Sequence, residues 1–426
     1  MAAVFYNCCS LIKKDGKEMK NKKTVLIIST LDTKKEETQY LKYKLEEIDV
    51  LPLLMDLSMR GKEKSIAELT PAHVASAGGS TIEEINKSKE RSTITNIIIE
   101  GATKMTRDLY AAGKIDGVMA IGGSTGSLMA TDVMRRALPF GIPKLMISST
   151  AALPGLSTKY IGTGDILLFH SVIEISGLSD MLTNVMDRAC YAMKGMVTSV
   201  TPLSISNKKT IALTMLGPCE QCASSVRKAL EQEGYQITGF SAAGIGDRAM
   251  EKMVAEGFFQ GVIDLAPGGV GEHYFGYMRD GGPERLESAG KRGIPQIIST
   301  CSVNHMTPSR SKYKKEFYDR PKYDLDKFRT WIRLNISELK EVANEFARKL
   351  NGSKGPVKLI IPTKGWSSVD CPGNPTYAPE EDLIFIETLR DKLDSNVKII
   401  EVDANMEDPA FSKQVIQSAL ELFSNG

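Results

Sequence analysis

Two textures alternate along the chain. Short, nearly unbroken apolar runs such as "TVLII" (24–28), "GVMAI" (117–121), "TIALTM" (210–215) and "VKLII" (357–361) each stop at residues rich in Gly, Ser, Thr and Asp. Between the runs, apolar residues recur at helical spacing, as Leu41, Leu45 and Ile48 do early on and Ala223, Val226 and Leu230 do later. Unbroken Val/Ile/Leu runs suit strands covered on both faces. Strands alternating with helices imply right-handed crossovers and a parallel sheet.

The pattern occurs twice. "KKTVLIISTLDTK" (22–34) has its counterpart in "KKTIALTMLGPCE" (208–220), "IDGVMAIGGSTGS" (115–127) in "FQGVIDLAPGGVGE" (259–272), and "FGIPKLMISST" (140–150) in "RGIPQIISTC" (292–301). The shared order is strand, glycine turn, helix, Gly-Ile-Pro, strand. It predicts an α/β protein of two Rossmann-like, doubly wound parallel-sheet domains made by internal duplication, with a cleft between them. The domains are expected over 23–200 and 201–426, after a flexible tail at 1–22, with the boundary in "TSVTPLSISNKK" (198–209). The stretch 57–86 reads as a partly mobile insertion. The proline-free stretch 166–197 reads as a helix closing the first domain.

Composition narrows the class without changing this picture. At 426 residues the chain exceeds what one core of about 250 residues holds. A formal net charge of +2 argues against a nucleic-acid partner, and no apolar run approaches a membrane span of about 20 residues. Seven irregularly spaced cysteines suit a reducing compartment, so a cytoplasmic location is expected. The first residues lack a signal-peptide pattern, and Ala2 excludes N-myristoylation.

In an open parallel sheet, ligands sit outside the carboxyl ends of the strands. Gly122, Gly123, Ser124, Thr125, Gly126 and Ser127 follow such an end and open a helix. Glycines let the backbone approach an anion, free N–H groups at a helix start point toward it, and hydroxyls add donors. The competing reading is a serine cap with glycines for turn geometry alone. The same letters satisfy the Gly-x-Ser-x-Gly nucleophile elbow, with Ser124 attacking and His170, His273 or His305 as base. Thr30, Asp32, Thr33 and Lys34 follow the first strand. Asp32 or Thr33 suits a helix cap; Lys34 in the first turn opposes the helix dipole, which makes sense beside an anion, a solvated lysine being the other reading. Ser149 and Thr150 follow the third shared strand. Thr163 and Asp165 end the same loop, where Asp165 is either a sugar or metal contact or a plain cap.

In the second half, Arg248 is either an anion clamp or the partner of an acidic neighbour. "CEQC" (219–222) reads as two packed thiols sooner than a redox or zinc motif, since no second ligand pair lies close by. Glu272 and His273 are adjacent and point apart on a helix. The absence of a His-x-x-x-His pair excludes a zincin.

Taken in order, "STLDTK", "GVMAIGGSTGS", "YIGTGDILLFHSV", "GDRAME", "GVIDL", "GIPQIIS" and "IPTKGWSSVDCPG" resemble an uncharacterised family related to the N-terminal ATP-binding domain of the tomato mosaic virus resistance protein. The likeness runs from about Lys22 to the end of the chain. Thr30 to Lys34 match one family motif, with Ser29 where glycine is expected. Gly122, Gly123, Ser124 and Gly126 match a second, and Gly162 to Ile166 a third. The resemblance implies two Rossmann-like subdomains, ATP binding and a homodimer, and no established reaction. "LAPGGVGEH" after Asp264 and "TCSVNHM" after "QIIS" depart from the family pattern, so the nucleotide is expected in the first half. The expected function is therefore ATP binding, with magnesium as the accompanying ion, by a protein acting on a small metabolite in the cleft. A nucleotide-tuned protein-binding module or inhibitor and a sugar-nucleotide enzyme stay open as alternatives.

Overall fold

The computed structural model describes residues 22–59, 65–199 and 209–424. The chain forms two compact units that adjoin in sequence between residues 203 and 204.

The first unit runs β1 (Thr24–Ser29), α1 (Leu31–Glu47), β2 (Leu51–Asp56), α2 (Pro71–Ala77), α3 (Ile82–Lys87), α4 (Arg91–Ala111), β3 (Gly117–Gly122), α5 (Ser124–Ala137), β4 (Lys144–Ser148), α6 (Ser157–Ile161), β5 (Leu167–His170) and α7 (Asp180–Ser199). Its five strands are all parallel, in the order β2-β1-β3-β4-β5. Alternate residues of one strand serve opposite faces, as a pleated strand requires. Leu26, Ile28, Val118 and Ala120 enter one core, while Val25, Ile27, Met119 and Ile121 enter the other. Both faces are covered, which is why the runs are apolar throughout. The strand order reverses between β1 and β3, so their carboxyl ends flank a crevice there.

The second unit runs β6 (Thr210–Met215), α8 (Glu220–Gln232), β7 (Gln236–Ser241), α9 (Ile245–Ala255), β8 (Gly261–Asp264), α10 (Gly269–Phe275), α11 (Ser288–Arg292), β9 (Gln296–Ile298), β10 (His305–Met306), β11 (Lys322–Asp324), β12 (Thr330–Arg333), α12 (Ile336–Asn351), β13 (Val357–Pro362), α13 (Pro379–Lys392), β14 (Val397–Val402) and α14 (Pro409–Ser424). Its six-stranded parallel sheet has the order β14-β13-β9-β8-β6-β7. Strands β10, β12 and β11 form a small antiparallel sheet. Read from its own first strand, the second sheet repeats the order of the first and adds one strand. The repeat in the letters is thus a repeat in topology.

One expectation needs correcting. The stretch 166–197 is not one helix: β5 pairs with β4 from Leu167 to His170, and α7 begins only at Asp180. "LLFH" is too short to reveal a period, and no proline marks the break after it. The stretch 57–86 contains two short helices, each closed by a capping box, Thr70 with His73 and Thr81 with Glu84. Residues 60–64 of that stretch lie outside the described residues.

Helix α2 rests on α4 through a glycine. A Cβ on Gly101 would stand 1.9 Å from the Val74 carbonyl oxygen, so the two backbones can approach only without a side chain there. Gly101→Ala should force the helices apart and cost about 2–4 kcal/mol, read as a lower urea midpoint at unchanged slope.

Candidate functional site

The crevice between β1 and β3 is built from loops that treat their helix starts in opposite ways. At the end of β1 the start of α1 is already occupied by protein groups. Its cap residue, Thr30, makes no side-chain capping bond. Instead the Leu31 N–H donates to Asp56 Oδ1 at 3.1 Å and the Asp32 N–H to Ser58 Oγ at 2.9 Å, both from the end of β2. Asp32 therefore does not cap its own helix, and its side chain is exposed. Thr30 and Thr33 join hydroxyls at 3.1 Å. Lys34 bends the helix with φ −131° and ψ 34°, and its ammonium donates to the Ile175 carbonyl. That contact accounts for a lysine in the first turn without an anion.

At the end of β3 the start of α5 is open. Gly123 is the cap residue, with φ −80° and ψ −160°, and it has no side chain to bond back. The Ser127 N–H closes on the Gly123 carbonyl at 2.9 Å, so the N–H groups of Ser124, Thr125 and Gly126 are the unclosed first turn. The serine-cap reading fails here, because Ser124 is already inside the helix. Gly123 and Gly126 are open as well, whereas a Cβ on Gly122 would stand 3.2 Å from the Gly126 Cα. A Cβ on Gly123 would come no closer than 3.9 Å to another group, at Ser149 Oγ, and one on Gly126 no closer than 4.0 Å, at Thr30 Oγ1. Those two distances bring the ends of β1, β3 and β4 to one place. At the rim, Arg91 donates to Thr125 Oγ1 at 3.4 Å. Arg91 opens α4, where a cation opposes the dipole; that oddity was the signal in the sequence that could have found it.

Not every predicted residue joins this group. Ser127 is buried and donates to Ser148 Oγ at 2.8 Å, in a hydroxyl chain that continues through Thr150 to the Tyr160 phenol. Ser127 and Thr150 thus serve the packing between β3 and β4, and only Ser149 stays at the rim, within 3.4 Å of Glu174. Thr163 and Asp165 lie at the opposite edge of the sheet. The chain must return to that edge before β5 can run parallel to β4. There Asp165 accepts from the buried ammonium of Lys144 at 2.6 Å and from the Gly141 N–H at 2.8 Å. The glycines on either side of Thr163 lie against Arg135, near the far end of α5. Two of the three histidines offered as base for a nucleophile elbow face other groups. The His170 ring nitrogen faces the Ser148 carbonyl at 3.4 Å and the Val172 N–H at 3.5 Å, and His273 faces Asp280.

In the second unit the corresponding bend is filled by the protein itself. A Cβ on Gly268 would lie 2.4 Å from Ser302, and one on Gly269 3.2 Å from Asp247. Behind them stands Arg285, wholly buried. It bonds Asp247 at 2.7 Å, Asp264 at 2.8 Å and Glu251 at 3.3 Å. Burial pushes the carboxyls of Asp247 and Glu251 up, and Arg285 pulls them back. Arg248 pairs with Asp280 at 2.6 Å, so it is the partner of an acidic neighbour. Glu272 is buried against Arg279, whereas His273 faces Asp280, so the two adjacent groups do point apart. Cys219 and Cys222 are buried and unbridged, and burial raises the Cys222 thiol, the reverse of a redox nucleophile.

Among the described residues no group of three or more His, Cys, Asp or Glu side chains could hold a metal ion. Nor is any helix among them long and apolar enough to cross a membrane.

The sequence matches the N-terminal domain of an uncharacterised protein family, UPF0261, over residues 23–202, and the C-terminal domain of the same family over 208–423. The chain belongs to the UPF0261 family. A UPF0261 protein of Clostridium tetani is 32% identical over 92% of this chain and 96% of its own length. One from Brucella suis is 30% identical over 93% and 94%. The ToMV resistance protein Tm-1(GCR237) of Solanum lycopersicum is 33% identical over 72% of this chain, a match spanning 41% of that longer protein. A solved UDP-N-acetylglucosamine 2-epimerase aligns over 95% of this UPF0261 chain and 98% of its own, at 10% identity and a TM-score of 0.22. That score is too low for the likeness to carry an argument about chemistry.

Proposed function

We propose that the first unit of this UPF0261 protein binds a nucleotide, ATP, by its phosphates at the bend from Gly122 to Gly126. The observation that supports this most is the open start of α5 at the β1/β3 crevice. Three N–H groups, the positive end of a helix dipole and two glycines without near neighbours meet there. Ser124 and Thr125 add hydroxyl donors, and Arg91 adds a guanidinium at the rim. Thr30 lies across the crevice from Gly126 and completes the wall.

A magnesium ion would fit this arrangement only together with the phosphates. Mg²⁺ keeps several waters and takes one or two protein carboxylates. Asp32 is the residue to hold it, being exposed, in the first turn of α1 and beside Thr30 and Thr33. The ion would screen the phosphate charge; the chain's own groups fix where the phosphates lie.

Calorimetric titration of the full chain with ATP tests the reading. Saturable binding that strengthens with magnesium is expected, and Asp32→Ala should lose most of the magnesium effect while keeping metal-free binding. Absence of any saturable heat with ATP, with or without magnesium, removes the proposal.

A further inference from the structure

The second unit holds a group of buried polar atoms that its own fold does not satisfy. Buried polar groups almost always have a partner, so exceptions need a reason. Among the described residues, twelve buried side-chain N and O atoms make no hydrogen bond. Eight of them belong to Ser299, Thr300, Ser302, Asn304, His305, Asp370 and Asp382. The first five form the chain leaving the carboxyl end of β9, the side of a parallel sheet where ligands bind. Asp370 follows β13, and Asp382 opens α13.

The contacts draw several of these residues together. Asn304 Nδ2 donates to Asp370 Oδ2 at 2.8 Å and to Asp382 Oδ1 at 3.0 Å. Reversing the amide would set its oxygen against two carboxylates, so this orientation is fixed. Arg333 Nη2 donates to Asp382 Oδ1 at 2.6 Å, while its Nη1 stands 3.7 Å from Asp370 Oδ1, near enough for charge and too far for a hydrogen bond. Asp370 Oδ1, Asp382 Oδ2 and Asn304 Oδ1 remain without a protein donor. Burial and the neighbouring Asp370 push the Asp382 carboxyl up to about 7, against the pull of Arg333. His305 pairs with Arg333 across β10 and β12, and its ring lies 5.4 Å from that of Trp331. Burial, with Arg333 and Arg279 nearby, keeps the imidazole neutral, so it offers one donor and one acceptor.

We propose that this group of unpaired atoms takes a polyhydroxylated small molecule, a sugar or polyol presenting hydroxyls on neighbouring carbons. The chemistry decides between classes. The Asn304 oxygen requires a donor, while the two carboxyls, both pushed up by burial, the imidazole and the three hydroxyls can use both donors and acceptors. A hydroxyl group supplies both at one atom. An ammonium only donates, and it would have to lie beside the Arg333 guanidinium. A phosphate or carboxylate only accepts, and it would face Asp370 and Asp382. The loop after β13 carries Asp370 and turns at Gly365 (φ 108°) and Gly373 (φ 94°). Arg333 ties its far end by donating to the Thr376 and Ala378 carbonyls at 2.7 and 2.9 Å.

The test uses groups whose removal should not harm the fold. Thr300→Val keeps shape, His305→Leu comes close to the volume of the imidazole, and both delete buried polar atoms that no protein group satisfies. Such changes are neutral or stabilising when the lost atoms had no partner. The full-length chain and both variants are titrated with glycerol, erythritol, D-ribose and D-glucose, with methylammonium and inorganic phosphate as the competing classes. Saturable binding of at least one of the four polyols is expected. Each variant should weaken it about tenfold or more while melting no lower than the parent. The proposal is overturned if none of the four binds saturably, if both variants bind like the parent, or if methylammonium or phosphate saturates in their place. A crystal map showing only ordered water on these atoms in saturating polyol overturns it too. ATP titrations of the same variants should not change, which separates this site from the one in the first unit.

Discussion

Arg285→Met should be the most damaging single change in the second unit. The substitution keeps the apolar stem of the side chain and removes the guanidinium. Three carboxylates, on Asp247, Asp264 and Glu251, then remain buried without a cation. Breaking a buried ion pair from one side costs about 3–5 kcal/mol, far more than the intact pair contributes. In a unit of this size the melting point should fall by about 10 °C. The loss should depend on pH. Burial raises the folded-state values of Asp247 and Glu251 above their unfolded ones, and without Arg285 nothing opposes that rise. A carboxyl with a raised folded value contributes its stability at low pH and loses it as pH climbs through that value. The variant should therefore be closest to wild type near pH 5 and furthest from it at pH 8. Adding Asp264→Asn should recover part of the difference. A urea midpoint for Arg285→Met that matches wild type at pH 8 would refute this account.

Gly126→Val should abolish nucleotide binding and leave the fold intact, a combination that few glycine substitutions offer. A Cβ at Gly126 meets nothing nearer than Thr30 Oγ1 at 4.0 Å, so the fold accepts a side chain there. Gly126 has helical backbone within the first turn of α5, where glycine is a poor helix former and valine a better one. The melting point should hold or rise slightly. The two Cγ atoms would project into the crevice between β1 and β3 and displace the phosphates. A thirtyfold or larger rise in Kd for ATP is expected, which is about 2 kcal/mol. Gly126→Ala should fall between valine and wild type. Wild-type affinity in a well-folded Gly126→Val chain would mean that the bend holds no anion.

How far the sequence led depends on the length of the pattern being read. The duplicated order of strand, glycine turn and Gly-Ile-Pro was long enough to specify two similar sheets, and the first bend was legible at single residues. The errors came from short elements. Four apolar residues, Leu167 to His170, carry no period, so β5 was read as helix. That misreading displaced Thr163 and Asp165 as well: with a strand starting at Leu167, residues just before it must stand at the amino edge. Contacts between distant residues were out of reach for another reason. Asp56 and Ser58 close α1 from a separate strand, and Arg285 gathers carboxylates 21 to 38 positions away. No local spacing encodes such partners. "GDRAME" and "GVIDL" drew notice as letters, and their Asp247, Glu251 and Asp264 turn out to surround that arginine. The polar set at Ser299–His305 was visible only as a departure from an expected pattern.

The contrast between Gly126 and Gly268 also says something about history. Two copies of one ancestral module do not amount to two copies of its task. At the later bend Ser302 and Arg285 fill the space that glycines leave open at the earlier one. At the earlier bend Gly123 and Gly126 keep open space, so one turn geometry leaves room in the first half and none in the second.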